Sequence, residues 1–366
     1  MKFIDIANDG VKKLSPYQAG KPIEELEREL GISNVIKLAS NENPFGFPDS
    51  AKQAVQNAIN DLTRYPDANG FNLKQEVAEK FGLQTDQITL GNGSNDLLEL
   101  IFQTFVSDKD EVIFSQYTFI VAPLAAQARN AKAKVIPAVD YGHDLNGFLQ
   151  AITDKTKLIY IANPNNPTGN FLTHQQIDEF LAQVPEHIIV TLDEAYTEFT
   201  AENERVDSFG LLQKYPNLVV SRSLSKAYGL AGLRIGYAVS NPEIADLFNR
   251  VRQPFNCNSL ALAAAVAVIN DDTFVAQVAE NNRAELERYE QFCEQHNLEY
   301  IPSKGNFITI NFKQSAAPIY DALLREGVIV RPIAGYGLPN HLRVSIGLPE
   351  ENSRFFTALC KVLNLN

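Results

Sequence analysis

Apolar residues along the chain recur in two rhythms that take turns. Short, nearly continuous runs such as Val112-Ile-Phe114, Leu158-Ile-Tyr-Ile-Ala162, Ile188-Ile-Val-Thr-Leu192 and Leu218-Val-Val220 have the length and β-branched content of strands buried on both faces. Strands are expected at 87–91, 111–115, 133–137, 157–162, 187–192, 217–222 and 233–239. Between many of them the spacing changes to that of amphipathic helices, near 70–81, 95–106, 118–129, 173–183 and 242–252. Such alternation predicts an α/β fold, a largely parallel sheet between helical layers. After Asn256 the character changes. An alanine-rich helix at 259–269 and a long charged one at 272–297 precede strands at 299–302, 306–312, 328–332 and 341–346, with helices near 315–326 and 349–363. This order reads as a smaller α+β domain. The first 45 residues are less periodic, so the expected division is an arm (1–45), a large domain (46–255) and a small domain (256–366).

The 366 residues suffice for two domains at roughly 150 residues each. A net charge of −12 without any basic run argues against a nucleic-acid partner. No stretch approaches the ~20 apolar residues of a membrane span, and the acidic N-terminus does not read as a signal peptide. Cys257, Cys293 and Cys360 make neither a disulfide framework nor a close metal spacing. The histidines are scattered, so no metal site is expected. The reading is a cytoplasmic protein.

Chemistry concentrates in a few segments. Ser223-Leu-Ser-Lys226 places one lysine among hydroxyls, with Arg234 eight positions later. A lysine that forms an imine needs a deprotonable amine, while Ser223, Ser225 and Arg234 are what a phosphate group requires. Together these are the needs of pyridoxal 5′-phosphate. The turn Asn163-Pro-Asn-Asn-Pro-Thr-Gly169 places Asn166 just past the end of a strand, and the run ending at Leu192 delivers Asp193 and Glu194, with Tyr196 behind. Ligands of open α/β sheets bind outside the strands' carboxyl ends. A carboxylate there, Asp193, can keep a pyridine nitrogen protonated, and Asn166 and Tyr196 can hydrogen-bond the ring's phenolic oxygen. Gly91-Asn-Gly-Ser94 enters a helix whose first N–H groups, at Ser94 and Asn95, form an anion site. It is a poor dinucleotide fingerprint, because Asp96 stands at the third glycine position.

These segments, in this order, resemble the motifs of the fold-type I aminotransferases that depend on pyridoxal phosphate, most closely the histidinol-phosphate aminotransferase family, over nearly the whole chain. The resemblance implies a two-half transamination in which Lys226 anchors the cofactor and then moves a proton, with Asp193 and Tyr196 assisting. It implies L-histidinol phosphate and 2-oxoglutarate or glutamate as substrates. Asn41-Glu-Asn-Pro44 is similar to the family's loop before the large domain and brings Asn43 toward substrate. Arg64-Tyr-Pro-Asp67 is similar to the segment whose tyrosine, here Tyr65, reaches the cofactor phosphate of a partner subunit, which implies a homodimer with shared sites. Phe119, or alternatively Tyr117, takes the ring-stacking position. Arg331, Arg343 and Tyr17 match positions that meet the substrate's anionic end, and the arm is expected to pack on the small domain. Aromatic amino-acid transamination and phosphothreonine-type decarboxylation are the alternatives on the same fold. A nucleotide-binding protein without pyridoxal phosphate is the distant one.

Overall fold

The computed structural model describes residues 2–16 and 20–365. A two-residue strand, β1 (Ile36–Lys37), lies in the arm. The large sheet contains β2 (Ile88–Gly91), β3 (Glu111–Ser115), β4 (Lys132–Ile136), β5 (Thr156–Ala162), β6 (Ile189–Asp193), β7 (Leu218–Ser223) and β8 (Gly236–Ser240). β9 (Glu299–Ile301), β10 (Phe307–Asn311), β11 (Val328–Ile329), β12 (Arg331–Pro332) and β13 (His341–Ser345) follow.

The seven-stranded sheet has the order β2-β8-β7-β6-β5-β3-β4. The pairs from β7 to β4 are parallel, whereas β8 is antiparallel to both β7 and β2. The expected largely parallel sheet is therefore present with one reversed strand. Period-two alternation explains the apolar runs. In β5, Leu158, Tyr160 and Ala162 join the core under the helix Ser94–Phe105. Ile159 and Ile161 point the other way, into a core with Ile177 and Phe180 of the helix His174–Leu181. A strand sandwiched between two helical layers has no polar face to show.

The four-stranded antiparallel sheet β12-β13-β10-β9 builds the smaller unit, with Ile308, Ile310, Leu342, Val344 and Phe355 in its core. The run expected as one strand at 328–332 is two. β11 pairs with β1 of the arm in parallel, while β12 pairs with β13.

The change of composition after Asn256 does not coincide with a change of packing. The helix Ser259–Val268 buries Ala261, Ala264, Ala265 and Val268 in the large unit's core beside Leu73, Val77 and Ile88. The helix Asp272–Gln295 belongs to both units, with Val275 and Val278 in that core and Leu286, Tyr289 and Cys293 in the other. The arm also divides. Leu26, Leu38 and Ala39 pack on the small sheet's side, but Gly10 lies against the backbone of Gln127 and Asn130 in the large unit, where a Cβ would come within 2.2 Å of the Gln127 carbonyl. Among the described residues no single helix is long and apolar enough to cross a membrane, and no group of three or more His, Cys, Asp or Glu gathers as metal ligands.

Candidate active site

The register of the large sheet brings the polar segments to one edge. Ala162 is level with Asp193, Asp193 with Ser221, and Gly236 with both Ser223 and Gly91. The carboxyl ends of β5, β6, β7 and β2 therefore open into one cavity, closed from the far side by β12 and β13. Ser94, Asn95, Phe119, Asn166, Asp193, Tyr196, Ser223, Ser225, Lys226, Arg234, Arg331 and Arg343 all line it. The residues expected from widely separated motifs thus meet in one place.

One end of the cavity is built for an anion. Gly93, at φ 82°, precedes the helix Ser94–Phe105, whose first N–H groups have no intrahelical acceptor. Arg234, itself in the left-handed region at φ 57°, lays its guanidinium against Gly93, where a Cβ would sit 2.3 Å from Nη2. Its Nη1 donates to Ser225 Oγ at 3.2 Å. A Cβ on Gly236 would meet the Arg222 carbonyl at 2.7 Å and the Ser94 nitrogen at 3.0 Å, so two glycines allow three chain segments to converge around the cup.

At the other end lies Asp193, buried, accepting from Tyr160 Oη at 2.7 Å and Ser221 Oγ at 3.0 Å. Burial raises its pKa, and the two hydroxyl donors oppose that rise. Glu194, the next residue, turns to the opposite face of the sheet. There its Oε2 accepts from Arg222 Nε and Nη2 at 3.0 and 2.9 Å, outside the cavity. This ion pair joins the ends of β6 and β7, on which the cavity residues Asp193 and Ser223 stand.

Between the two ends, Lys226 Nζ donates to the Ser40 carbonyl at 3.3 Å and lies 5.6 Å from the centre of the Tyr196 ring. Burial, then the positive charges of Arg343 and Arg234, lower its pKa to about 8 against the opposing pull of Glu42 and Asp193. Tyr196 Oη accepts from Asn166 Nδ2 and Asn41 Nδ2, both at 3.0 Å. Arg343 Nη1 donates to Asn166 Oδ1 at 2.6 Å and Nη2 to the Ala39 carbonyl at 2.8 Å. Arg331 is the direct cross-strand partner of Arg343. Side chains so paired stand on the same face of a sheet, and like charges there repel.

Three expected residues stand apart. Asn43 does not line the cavity. Its side-chain nitrogen donates to the carbonyls of Lys226 and Ala227 at 3.3 and 3.0 Å, so it holds the loop that carries the lysine. Asn41, from the same motif, is the one that lines the cavity. Tyr65 is 83% exposed and stacked on Phe255, away from its own chain's cavity. Tyr17 lies outside the described residues. Phe119 lines the cavity, whereas Tyr117 packs beside Tyr141 with ring centres 5.8 Å apart. Tyr160, Ser221, Ser40 and Asn41 were not singled out by sequence as site residues; a hydroxyl in the otherwise apolar run 158–162 was the available signal for Tyr160.

The donor set fits pyridoxal phosphate. A cationic, hydroxyl-lined cup at a helix start suits its phosphate, a buried carboxylate its ring nitrogen, and a lysine with a lowered pKa its aldehyde. The family described as aminotransferase class I and II matches residues 33–359. Over 363 residues, 99% of each chain, the sequence is 76% identical to histidinol-phosphate aminotransferase 2 of Haemophilus influenzae (strain 86-028NP). It is 75% identical over 365 residues, 100% of each chain, to histidinol-phosphate aminotransferase 1 of Mannheimia succiniciproducens. Among solved structures, the histidinol-phosphate aminotransferase of Sinorhizobium meliloti in complex with pyridoxal-5′-phosphate superposes with a TM-score of 0.89 at 28% identity, covering 97% of this chain and 96% of that one.

Proposed function

This chain belongs to the class I and II aminotransferases, and from that premise we propose that it transfers an amino group between L-histidinol phosphate and 2-oxoglutarate, giving imidazole acetol phosphate and L-glutamate in histidine biosynthesis. The observation that carries the substrate is the opposition of Arg331 and Arg343 across β12 and β13, both in the cavity that contains Lys226. A single carboxylate needs one guanidinium. A phosphate monoester, with nearly two charges and three acceptor oxygens, engages two and offsets their repulsion. This reading fits the chain better than aromatic amino-acid transamination or phosphothreonine decarboxylation, and it displaces the nucleotide-binding alternative.

The enzyme uses pyridoxal 5′-phosphate, which when bound supplies an electron sink for a carbanion at the substrate α-carbon. In our reading Arg234, Ser223, Ser225 and the N–H groups at Ser94 and Asn95 hold its phosphate, and Phe119 covers a ring face. Asp193 keeps the ring nitrogen protonated. Tyr196 and Asn166 serve the phenolic oxygen, and because Asn166 also accepts from Arg343, it couples the cofactor side to the substrate side. Lys226 Nζ would anchor the cofactor and would carry a proton to and from the substrate α-carbon. Its lowered pKa supplies the neutral amine that this requires.

A substrate panel tests the assignment. Histidinol phosphate should exceed histidinol, phenylalanine and phosphothreonine in kcat/KM. Arg331→Ala should reduce kcat/KM for histidinol phosphate by roughly ten- to a hundredfold, the worth of one charge-assisted bond, and that for phenylalanine by less. Equal values for phosphorylated and unphosphorylated substrates would remove the phosphate from the recognition scheme.

The site is completed by a second copy in this reading. Tyr65, exposed and stacked on the exposed Phe255, reaches the phosphate held by the partner, so the enzyme works as a homodimer. Its solvent-adapted charge and three free cysteines suit the cytoplasm. Mixing Lys226→Ala with Tyr65→Ala protein, under conditions of subunit exchange, should restore activity in about a quarter of all sites, because each mixed dimer rebuilds one of its two. Exchange without any gain over the separate variants would argue for single-chain sites.

A further inference from the structure

Asp193 receives a hydroxyl from each neighbouring strand. Tyr160 of β5 donates to one carboxylate oxygen, and Ser221 of β7 to the other. Tyr160 and Ser221 are both fully buried. In a run of Leu158, Ile159, Ile161 and Ala162, a phenylalanine at position 160 would fill the same space, so packing alone does not call for the oxygen. The terminal torsion of an aspartate is broad; a donor on each oxygen fixes the plane of the carboxylate as well as its position.

The two donors also decide where a shared proton resides. Hydrogen bonds to a carboxylate favour its ionised form and make it a weaker base. When a buried carboxylate faces a ring nitrogen, the proton between them goes to the stronger base. Each hydroxyl on Asp193 therefore pushes that proton toward the nitrogen, against the burial that would draw it to oxygen.

We propose that Tyr160, with Ser221 as its counterpart, is a positioning residue that fixes both oxygens of Asp193 and biases the shared proton onto the cofactor's ring nitrogen. The proposal rests on the reading that Asp193 faces that nitrogen. Neither hydroxyl needs to touch cofactor or substrate; both act through the carboxylate. Because the proton position governs electron withdrawal and not substrate capture, the effect belongs in kcat.

The test uses holoenzyme loaded with pyridoxal phosphate carrying ¹⁵N in the ring, comparing the parent protein with Tyr160→Phe, Ser221→Ala and Asp193→Asn. Tyr160→Phe should move the ring ¹⁵N resonance toward that of a neutral pyridine. It should lower kcat by roughly ten- to a hundredfold, as expected for one hydrogen bond to a charged group, with KM for glutamate nearly unchanged. Ser221→Ala should move both in the same direction, and it carries the test by itself if the phenylalanine variant does not fold. An unmoved resonance in the hydroxyl variants, while Asp193→Asn shifts it, would overturn the positioning role alone. A resonance unmoved even by Asp193→Asn would instead show that the carboxylate does not meet the nitrogen.

Discussion

Lys226→Ala protein should bind pyridoxal phosphate and yet turn over histidinol phosphate at least about 10,000-fold more slowly than the parent. General acid–base catalysis is worth ~100- to 10,000-fold, and the variant loses covalent attachment in addition. Retention of the cofactor is expected because the phosphate cup and Asp193 do not depend on the lysine; Arg234 is braced by Ser225 and by its fit against Gly93. Borohydride reduction of the parent followed by peptide mapping should place the label on Lys226, and label on another lysine would end the assignment. A pH profile adds a second check. The neutral amine is the reactive form, and its pKa is lowered to about 8. Cofactor capture by stripped protein should therefore accelerate as pH rises toward 8 and level off above it. An ordinary lysine would keep accelerating past pH 10.

Asp193→Asn should slow catalysis by roughly 100- to 1,000-fold, the size of loss seen when one preorganised electrostatic partner is removed from a reacting group. The replacement is nearly isosteric, and Tyr160 and Ser221 can turn their hydroxyls to suit an amide. Burial raises the carboxyl pKa in the cofactor-free chain, so ionised Asp193 costs stability once pH exceeds the normal carboxylate range, and below that range the cost vanishes. The asparagine carries no such charge. The stripped variant should accordingly melt no lower than the stripped parent at neutral pH, while the loaded variant is crippled in turnover. Calorimetry and steady-state rates together separate a fold defect from a chemical one, and near-normal turnover would take Asp193 out of the mechanism.

The large sheet was legible because its strands are buried on both faces, and the sequence shows this as unbroken apolar runs. Asp193, Ser223 and Lys226 could be read because each follows such a run. Asn43 and Asn41 could not be told apart, since both belong to one short motif and only the fold decides which faces the cavity. Tyr160 passed as core because a tyrosine in an apolar strand has the same volume whether or not its hydroxyl has a task. β1 was missed because two residues carry no periodicity, and its pairing with β11 spans most of the chain. The boundary after Asn256 was drawn on composition, but an alanine-rich helix packs wherever a close-fitting partner is offered, here by the large unit.

The segment from Ala39 to Asn43 touches Arg343, Lys226, Tyr196, Ser345 and Ala227, and the bond between Asn41 and Ser345 joins positions 304 residues apart. During synthesis this strap leaves the ribosome early and must wait for almost the entire remaining chain before its partners on β13 exist. At ~5–20 residues per second that interval is roughly 15 to 60 seconds. The large sheet can begin to form its core meanwhile, but the cavity cannot close until β13 has emerged. Maturation of activity in a translation reaction should therefore lag behind protection of the large unit from protease, and the lag should lengthen when translation is slowed.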